Sequence, residues 1–404
     1  MKVHRPIASH VIFALKIIFE EGYYADRVIE RLFKANKQLG ARDRRFIAEH
    51  IYEIVRWWRL IWAALDVDVP STSEDQLWRV FGAWLLIQNP DTALPDWAEF
   101  RDLEAATLLK TLESAKQNPA VRESVPDWLF ELGHQELGER WQDALHAMNK
   151  QAPVVVRANT LKTSRDNLMR EFKELEILTH LAPETNDGLI LNERKNIFTS
   201  EIFKLGFFEV QDGASQQIAP LLAVEPGMRV IDACAGAGGK SLHIAALLKN
   251  KGKVIAMDIH EKKLIELKRR AARAGVDVIE TKVIDSNKVI KRLEASADRV
   301  LLDVPCSGLG VLRRNPDAKW KLRLEEIESL HKTQAMILSD YSKMVKPGGR
   351  LVYATCSVLP SENEKQVENF LLNHSEWKLI EDKKFWPGEN GFDGFYAAAL
   401  ERTK

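Results

Sequence analysis

The first third of the chain places apolar residues at three- and four-residue spacing, the rhythm of helices packed against a core. In ARDRRFIAEHIYEIVRWWRLIWAALD that spacing runs without a break, and helices are punctuated at ANKQLGARD, DVPSTSED, QNPDTALP and ESVPDW. The opening MKVHRPIASHVIFALKIIFEEG has an apolar run cut by Lys16 and no small-residue cleavage site after it. It predicts an amphipathic helix rather than a signal peptide. From about residue 150 the pattern changes. VVVRANTLK, LILNE and FFEVQD predict strands and SRDNLMREFKEL a helix, a small α+β segment ending near Asp212. From about residue 213 strands and helices alternate. MRVIDACAG, KVIAMDIH, DVIETKVID, DRVLLDVP, GRLVYATCS and FYAAAL are the strands; KSLHIAALLKN, EKKLIELKRRAARAG, RLEEIESLHKTQAMILSDYSKMV and SENEKQVENFLLNH are the helices. Such alternation predicts a parallel, doubly wound sheet. The expected organisation is an all-helical domain at 1–145, an α+β connector at 150–212 and an α/β domain at 213–404. Ligands of open parallel sheets bind beyond the carboxyl ends of the strands. Asp232, Asp258, Asp285, Asp303 and Cys356 all fall at such ends.

Composition narrows this picture only at a few points. A chain of 404 residues has room for two or three cores. No apolar stretch approaches the roughly 18 residues that a membrane span requires. The formal net charge is zero, so only local basic patches could mark nucleic acid. One such neighbourhood holds Arg27, Arg31, Lys34, Lys37, Arg42, Arg44 and Arg45. Two more are KKLIELKRRAARAG and VLRRNPDAKWKLR, which either line an RNA path or are solvated helix faces. Trp57, Trp58 and Trp62 read as helix-packing aromatics. Three cysteines are too few and too scattered for a disulfide framework or a zinc site. They point to a reducing compartment, the cytoplasm, and no metal is expected.

The glycine-rich turn DACAGAGGKS admits three templates. A dinucleotide fingerprint needs a third glycine where Ser241 stands, and fails. A Walker A loop fits at Gly239, Lys240 and Ser241 but would put its first glycine at Cys234. With LLDVP as the acidic strand, that near miss keeps a P-loop ATPase or RNA helicase open as an alternative. The third template is the looser turn that cradles S-adenosyl-L-methionine, with an acidic residue ending the next strand to hold the ribose hydroxyls. Asp258, about twenty residues on, is placed for that, and Gly236, Gly238 and Gly239 let the backbone approach a ligand.

Two cysteines stand just past apolar runs, Cys306 in LLDVPCSGLG and Cys356 in YATCSVLPSENE. Carbon 5 of cytosine is a poor nucleophile. A thiolate adding at carbon 6 turns it into an enamine-like carbon that can attack a sulfonium methyl. The minimal kit is a nucleophilic Cys, a carboxyl group near N3, a base and adenosylmethionine. Asp303 and Cys306 end the fourth strand and Cys356 the fifth, neighbours in a parallel sheet, so either thiol would serve as nucleophile. Cys234 reads as a small hydrophobe packed beneath the glycine turn. A ribosome-assembly factor that only binds RNA would have no need of paired thiols.

DACAGAGGKS, the strand carrying Asp285, LLDVPCSGLGVLRRNPDAKW and YATCSVLPSENE together resemble the motifs of the Sun/Nop (RsmB/NSun) family of RNA cytosine-5 methyltransferases. FFEVQDGASQ and FWPGENGFDGFYAAAL resemble its flanking segments, so the likeness covers about residues 150–404. The resemblance implies a Rossmann-like class I methyltransferase domain using S-adenosyl-L-methionine. It implies Cys356 as nucleophile, Cys306 in product release, and Asp303 and Lys240 reaching the reacting base. Cofactor binding is implied for Cys234, Ala235, Gly236, Ala237, Gly238, Gly239, Lys240, Asp258, Asp285 and Asp303, with Asp285 toward the adenine. The family has proline where this chain has Ala237, so a slightly looser turn is expected. The amino-terminal helices resemble a NusB-like RNA-binding domain and VVVRANTLKTSRDNL an RRM-like connector. Ribosomal RNA, specifically 16S, is then the expected partner, transfer RNA the second, with the chain acting as a monomer.

Overall fold

The computed structural model describes residues 3–403; Met1, Lys2 and Lys404, at the ends of the first and last expected domains, lie outside the described residues. Two units separate along the chain. The first is the chain up to Lys150 together with Leu312–Leu324, and the second is Gln151–Val311 with the chain from Glu325 onward.

The first unit is helical. Helix Arg5–Glu20 carries Pro in its first turn, where a missing N–H costs nothing, and buries Ala8, Val11, Ile12, Leu15 and Ile18 along one stripe. Helices Ala41–Arg56, Trp58–Ala64 and Glu74–Gln88 complete the centre of its core, with Ile47, Ile51, Trp62, Trp78 and Phe81 fully buried. The tryptophans do pack helices: Trp58 stacks on Phe19 with ring centroids 3.8 Å apart, and Trp62 is buried beside it. Arg27 and Lys34 both pair with Glu30, Arg45 pairs with Glu49, and Arg31 lies over the Tyr23 ring.

One expectation is corrected here. VLRRNPDAKWKLR is neither a solvated face nor an open path for its two best-placed cations, because Arg313 and Lys319 are buried. The carbonyls at the end of helix Ala41–Arg56 have no intrahelical partner, and this segment supplies donors to them. Lys319 Nζ donates to the Arg56 carbonyl (2.9 Å) and Trp320 Nε1 to that of Val55 (2.7 Å). Asp317 accepts from the Ala25 N–H at 2.8 Å, and Arg56 Nη2 donates to the Arg313 carbonyl at 3.0 Å.

The second unit contains two sheets. In the smaller, β1 (Val155–Ala158), β2 (Thr179–Leu181), β3 (Gly188–Leu191) and β4 (Phe208–Val210) lie in the order β2-β3-β1-β4, all antiparallel. Helix Arg165–Glu174, capped by the Ser164 hydroxyl, covers it with Leu168 and Phe172. The short, exposed edge strand β2 left no alternation to read in the sequence.

The larger sheet comprises β5 (Arg229–Asp232), β6 (Lys253–Asp258), β7 (Ile279–Val283), β8 (Ala297–Asp303), β9 (Val345–Thr355), β10 (Trp377–Phe385) and β11 (Phe395–Arg402), in the order β10-β11-β9-β8-β5-β6-β7. Both faces are covered, since alternate residues such as Val300 and Leu301 enter different cores. Strands β5 to β9 are parallel, as expected. β11 is not: it runs antiparallel between β9 and β10. A short connection without a crossover helix joins β10 to β11, and such a link permits only antiparallel pairing. β10 itself was not anticipated, because WKLIEDKKF buries only Trp377 and carries the charges of an edge strand.

Candidate active site

β5 ends at Asp232 and the chain turns through residues 233–238 into helix Gly239–Leu247. The turn is pinned to both neighbouring strands, the Ala233 N–H donating to Leu301 (3.0 Å) and the Ala235 N–H to Met257 (2.8 Å). Gly236 and Gly238 have φ of +55° and +88°, left-handed values that favour glycine. A Cβ on Gly238 would sit 2.4 Å from the Leu267 side chain, whereas one on Gly236 would meet nothing within 4 Å. The turn is thus tight beneath and open above. Asp258, buried at the end of β6, accepts the N–H groups of Gly236 (2.9 Å) and His260 (2.8 Å), one on each oxygen, which leaves lone pairs for hydroxyl donors. The Ala237 carbonyl accepts from Arg270 Nη1 at 2.9 Å, and Glu209 holds that guanidinium in turn. An open glycine cradle at a helix start, with a buried carboxylate at the next strand end, fits an adenosyl cofactor. Asp285 lies exposed beyond β7 with the Ser286 hydroxyl on it (2.9 Å).

A P-loop reading fares worse. Its serine would have to bind a metal ion, yet Ser241 is completely buried and donates to Asp232 Oδ2 at 2.6 Å. Its lysine would reach phosphates, yet Lys240 Nζ sits 2.6 Å from Asp303 Oδ2. The Asp232–Ser241 pair was missed in the sequence; a Ser one turn into the helix after a strand-end Asp was the available signal. Burial pushes the Asp232 carboxyl up to about 7, the Ser241 hydrogen bond pulling the other way.

The two thiols meet. Asp303 of β8 pairs with Ala354 of β9, and the Val304 N–H extends the ladder to Ala354 (3.0 Å), so Cys306 and Cys356 emerge from adjacent strand ends. Their sulfurs are 3.3 Å apart, both free and partly buried. Backbones cross closely beneath them: Gly310 donates to the Cys356 carbonyl (2.9 Å) and accepts from the Gly394 N–H (2.8 Å). A Cβ on Gly310 would lie 2.1 Å from the Gly394 oxygen. The hydrogen bond to Cys356, then burial, pushes the Cys306 thiol well up. Burial alone would lower the Lys240 ammonium, but the nearby Asp303, together with Cys356 and Asp232, raises it overall, so Lys240 stays charged. Cys234 packs against the core under the turn, and burial drives its thiol up. It is unsuited to act as a thiolate. The sequence reading also passed over Glu362 and Asn363, which it had assigned only to a helix start. Both are buried and bonded to the cysteine-bearing turns.

A sequence profile described as "16S rRNA methyltransferase RsmB/F" matches residues 219–401, and one described as "Methyltr_RsmF/B-like, ferredoxin-like domain" matches residues 125–198. A Synechocystis protein named "Probable ribosomal RNA small subunit methyltransferase B" is 33% identical, over 90% of this chain and 88% of that one. A Yersinia pseudotuberculosis protein named "Ribosomal RNA small subunit methyltransferase B" is 29% identical over 96% of both. Among solved structures, the crystal structure of PH0851 matches with a TM-score of 0.80 and 26% identity over the whole of both chains. A methyltransferase homolog from Pyrococcus horikoshii matches with a TM-score of 0.63 and 26% identity, covering 70% of this chain and 97% of that one.

Proposed function

The chain belongs to the RsmB/F family of adenosylmethionine-dependent 16S rRNA methyltransferases, and from that premise we propose that it methylates carbon 5 of a cytosine in 16S ribosomal RNA through a transient bond from Cys356. The observation that carries this reading is the pair of free sulfurs 3.3 Å apart, with Asp303, at the end of the β8 strand that leads to Cys306, in a 2.6 Å ion pair with Lys240 of the helix after β5.

The reading assigns each group one task. Cys356, as thiolate, adds to carbon 6 of the cytosine and pushes electron density to carbon 5. Asp303, kept in place by Lys240, faces N3 and relays to it a proton from the Lys240 ammonium, which offsets the charge that addition creates. Adenosylmethionine, when bound over the glycine turn, supplies the electrophilic methyl group. Asp258 would hold its ribose, Asp285 would lie toward its adenine, and residues 234–240 would hold the rest. A base or water then takes the carbon 5 proton, the double bond re-forms as the carbon–sulfur bond breaks and returns Cys356 as thiolate, and N3 gives back its proton, with Cys306 assisting that release. A base inside a duplex cannot reach such a site, so the target cytosine is taken from a single-stranded or distorted region and swung out. The helices before Lys150 serve as a NusB-like RNA-binding domain and residues 150–212 as an RRM-like connector. The enzyme works as a monomer in the cytoplasm, where thiols stay reduced.

The test uses in-vitro-transcribed 16S rRNA, labelled adenosylmethionine and bisulfite sequencing of the product. Wild type should leave 5-methylcytosine, Cys356→Ala none, and Cys306→Ala a covalent enzyme–RNA adduct on a denaturing gel. Full turnover by Cys356→Ala, or a label on another base, refutes the mechanism. Labelling of transfer RNA alone moves the substrate to that class.

A further inference from the structure

Glu362 and Asn363 are consecutive, and each reaches back to a different cysteine-bearing turn. Glu362 is fully buried. Its carboxylate accepts the Ser307 N–H (2.8 Å), the Ser307 hydroxyl and Gln334 Nε2 (3.0 Å), and the same amide nitrogen also donates to the Pro305 carbonyl at 3.0 Å. Pro305 and Ser307 flank Cys306. Asn363 accepts the Thr355 hydroxyl and donates to the Ser357 carbonyl (3.1 Å), and Thr355 and Ser357 flank Cys356. The Ser307 and Ser357 hydroxyls, 3.2 Å apart, close the network between the two turns. Glu362's own carbonyl accepts the Tyr353 hydroxyl at 2.7 Å, which fixes the dipeptide to β9.

A buried carboxylate held by an amide, a hydroxyl and a carboxamide is costly to keep, and apolar packing of equal volume is often no less stable. Its three donors all come from the Cys306 turn or from the helix residue bracing it. We propose that Glu362 and Asn363 are positioning residues that set the two sulfurs against each other, Glu362 by holding the Cys306 turn for release and Asn363 by holding the Cys356 turn for attack. The inference rests on the nucleophile and release roles proposed above. In its support, the Glu362 charge is among the groups that push the Cys306 thiol up, after the Cys356 hydrogen bond and burial.

The two turns serve different steps, so loosening them should have opposite consequences for the covalent intermediate. Glu362→Gln keeps the shape and removes the charge. With 16S rRNA transcript its kcat should fall about tenfold or more, with KM little changed, and the enzyme–RNA adduct should accumulate as in Cys306→Ala. Asn363→Ala should lose kcat by a similar factor with no adduct. Ser307→Ala, which removes one donor and leaves the charge, should accumulate adduct more weakly; it carries the test should Glu362→Gln not fold. Adenosylmethionine affinity, measured by calorimetry, should stay within about twofold of wild type in all three. A general packing role predicts instead that rate, affinity and melting temperature fall together and that all variants share one adduct level. That pattern, or wild-type kinetics in Glu362→Gln, overturns the proposal. Cys356→Ala and Cys306→Ala run alongside. Methylation by the first, or no trapping by the second, indicts the roles of the cysteines; both behaving as expected beside unaffected Glu362 and Asn363 variants indicts only the positioning.

Discussion

Asp232 gives this enzyme a pH-dependent stability that one substitution should remove. The carboxyl is 1% exposed at the end of β5, where one oxygen takes the Ser241 hydroxyl. Burial, reinforced by Asp303 and opposed by Ser241 and Lys240, raises it from 3.8 to about 7. In the unfolded chain the group is ionised above 3.8, while in the folded protein it keeps its proton to about 7. Between those values the folded state binds the extra proton, so stability falls as pH rises through the window and levels off above it. At ~1.36 kcal/mol per pH unit the whole interval is worth about 4 kcal/mol, and the part between about pH 5 and 7 nearly 3 kcal/mol. Asp232→Asn mimics the protonated form, keeping an acceptor for Ser241. Urea unfolding of wild type and variant at about pH 5, 6, 7 and 8.5 isolates the contribution of Asp232, because every other titrating group cancels in the difference. The variant's advantage over wild type should grow by about 2–3 kcal/mol between about pH 5 and 7 and then stay constant. A difference independent of pH refutes the reasoning, as does a variant that loses stability most in alkali.

Gly238→Ala forces a side chain into a left-handed backbone position and within 2.4 Å of Leu267. It should cost about 1–3 kcal/mol and weaken adenosylmethionine binding by at least tenfold in calorimetry; unchanged affinity would show that the turn does not set the cradle. Lys319 is an ammonium 2% exposed, pushed well below 10.5 by burial and by Arg56. The unfolded lysine therefore holds its proton to higher pH than the folded one, and stability rises with pH between the two values. Lys319→Met should abolish that rise and, by leaving the Arg56 carbonyl without its donor, cost about 1–3 kcal/mol near pH 7, as read by thermal unfolding across about pH 7 to 10; an unaltered slope would locate the titration elsewhere.

What the sequence disclosed was governed by how local the signal is. The glycine turn, the carboxylates at β5, β6 and β8, and the helices after them are written in consecutive residues, because a strand that ends in a tight turn needs its glycines and polar side chains at fixed offsets. The meeting of Cys306 with Cys356 was also legible, since successive right-handed crossovers tend to lay strands side by side. The antiparallel return of β11 was not, because alternation shows that a strand exists and not which way it runs. Leu312–Leu324 misled for a related reason. Its cations look solvated, and Lys319 is tolerably buried only because it satisfies the Arg56 carbonyl at the end of a distant helix, while Arg56 itself donates to the Arg313 carbonyl.

The deeper limit concerns the two cysteines. Each follows an apolar run, each has a serine after it, and the chemistry asks only for one thiolate, so nothing in the spacing separates nucleophile from helper. Tertiary charge breaks that symmetry. On one side the buried Glu362 holds the turn of Cys306 and opposes its ionisation. On the other the Lys240 ammonium, bound to Asp303, is close enough to Cys356 for that sulfur to be among the groups that favour its charge. The difference between the two sulfurs is therefore a consequence of where residues 362 and 240 fold, and no reading of the linear motif could have supplied it.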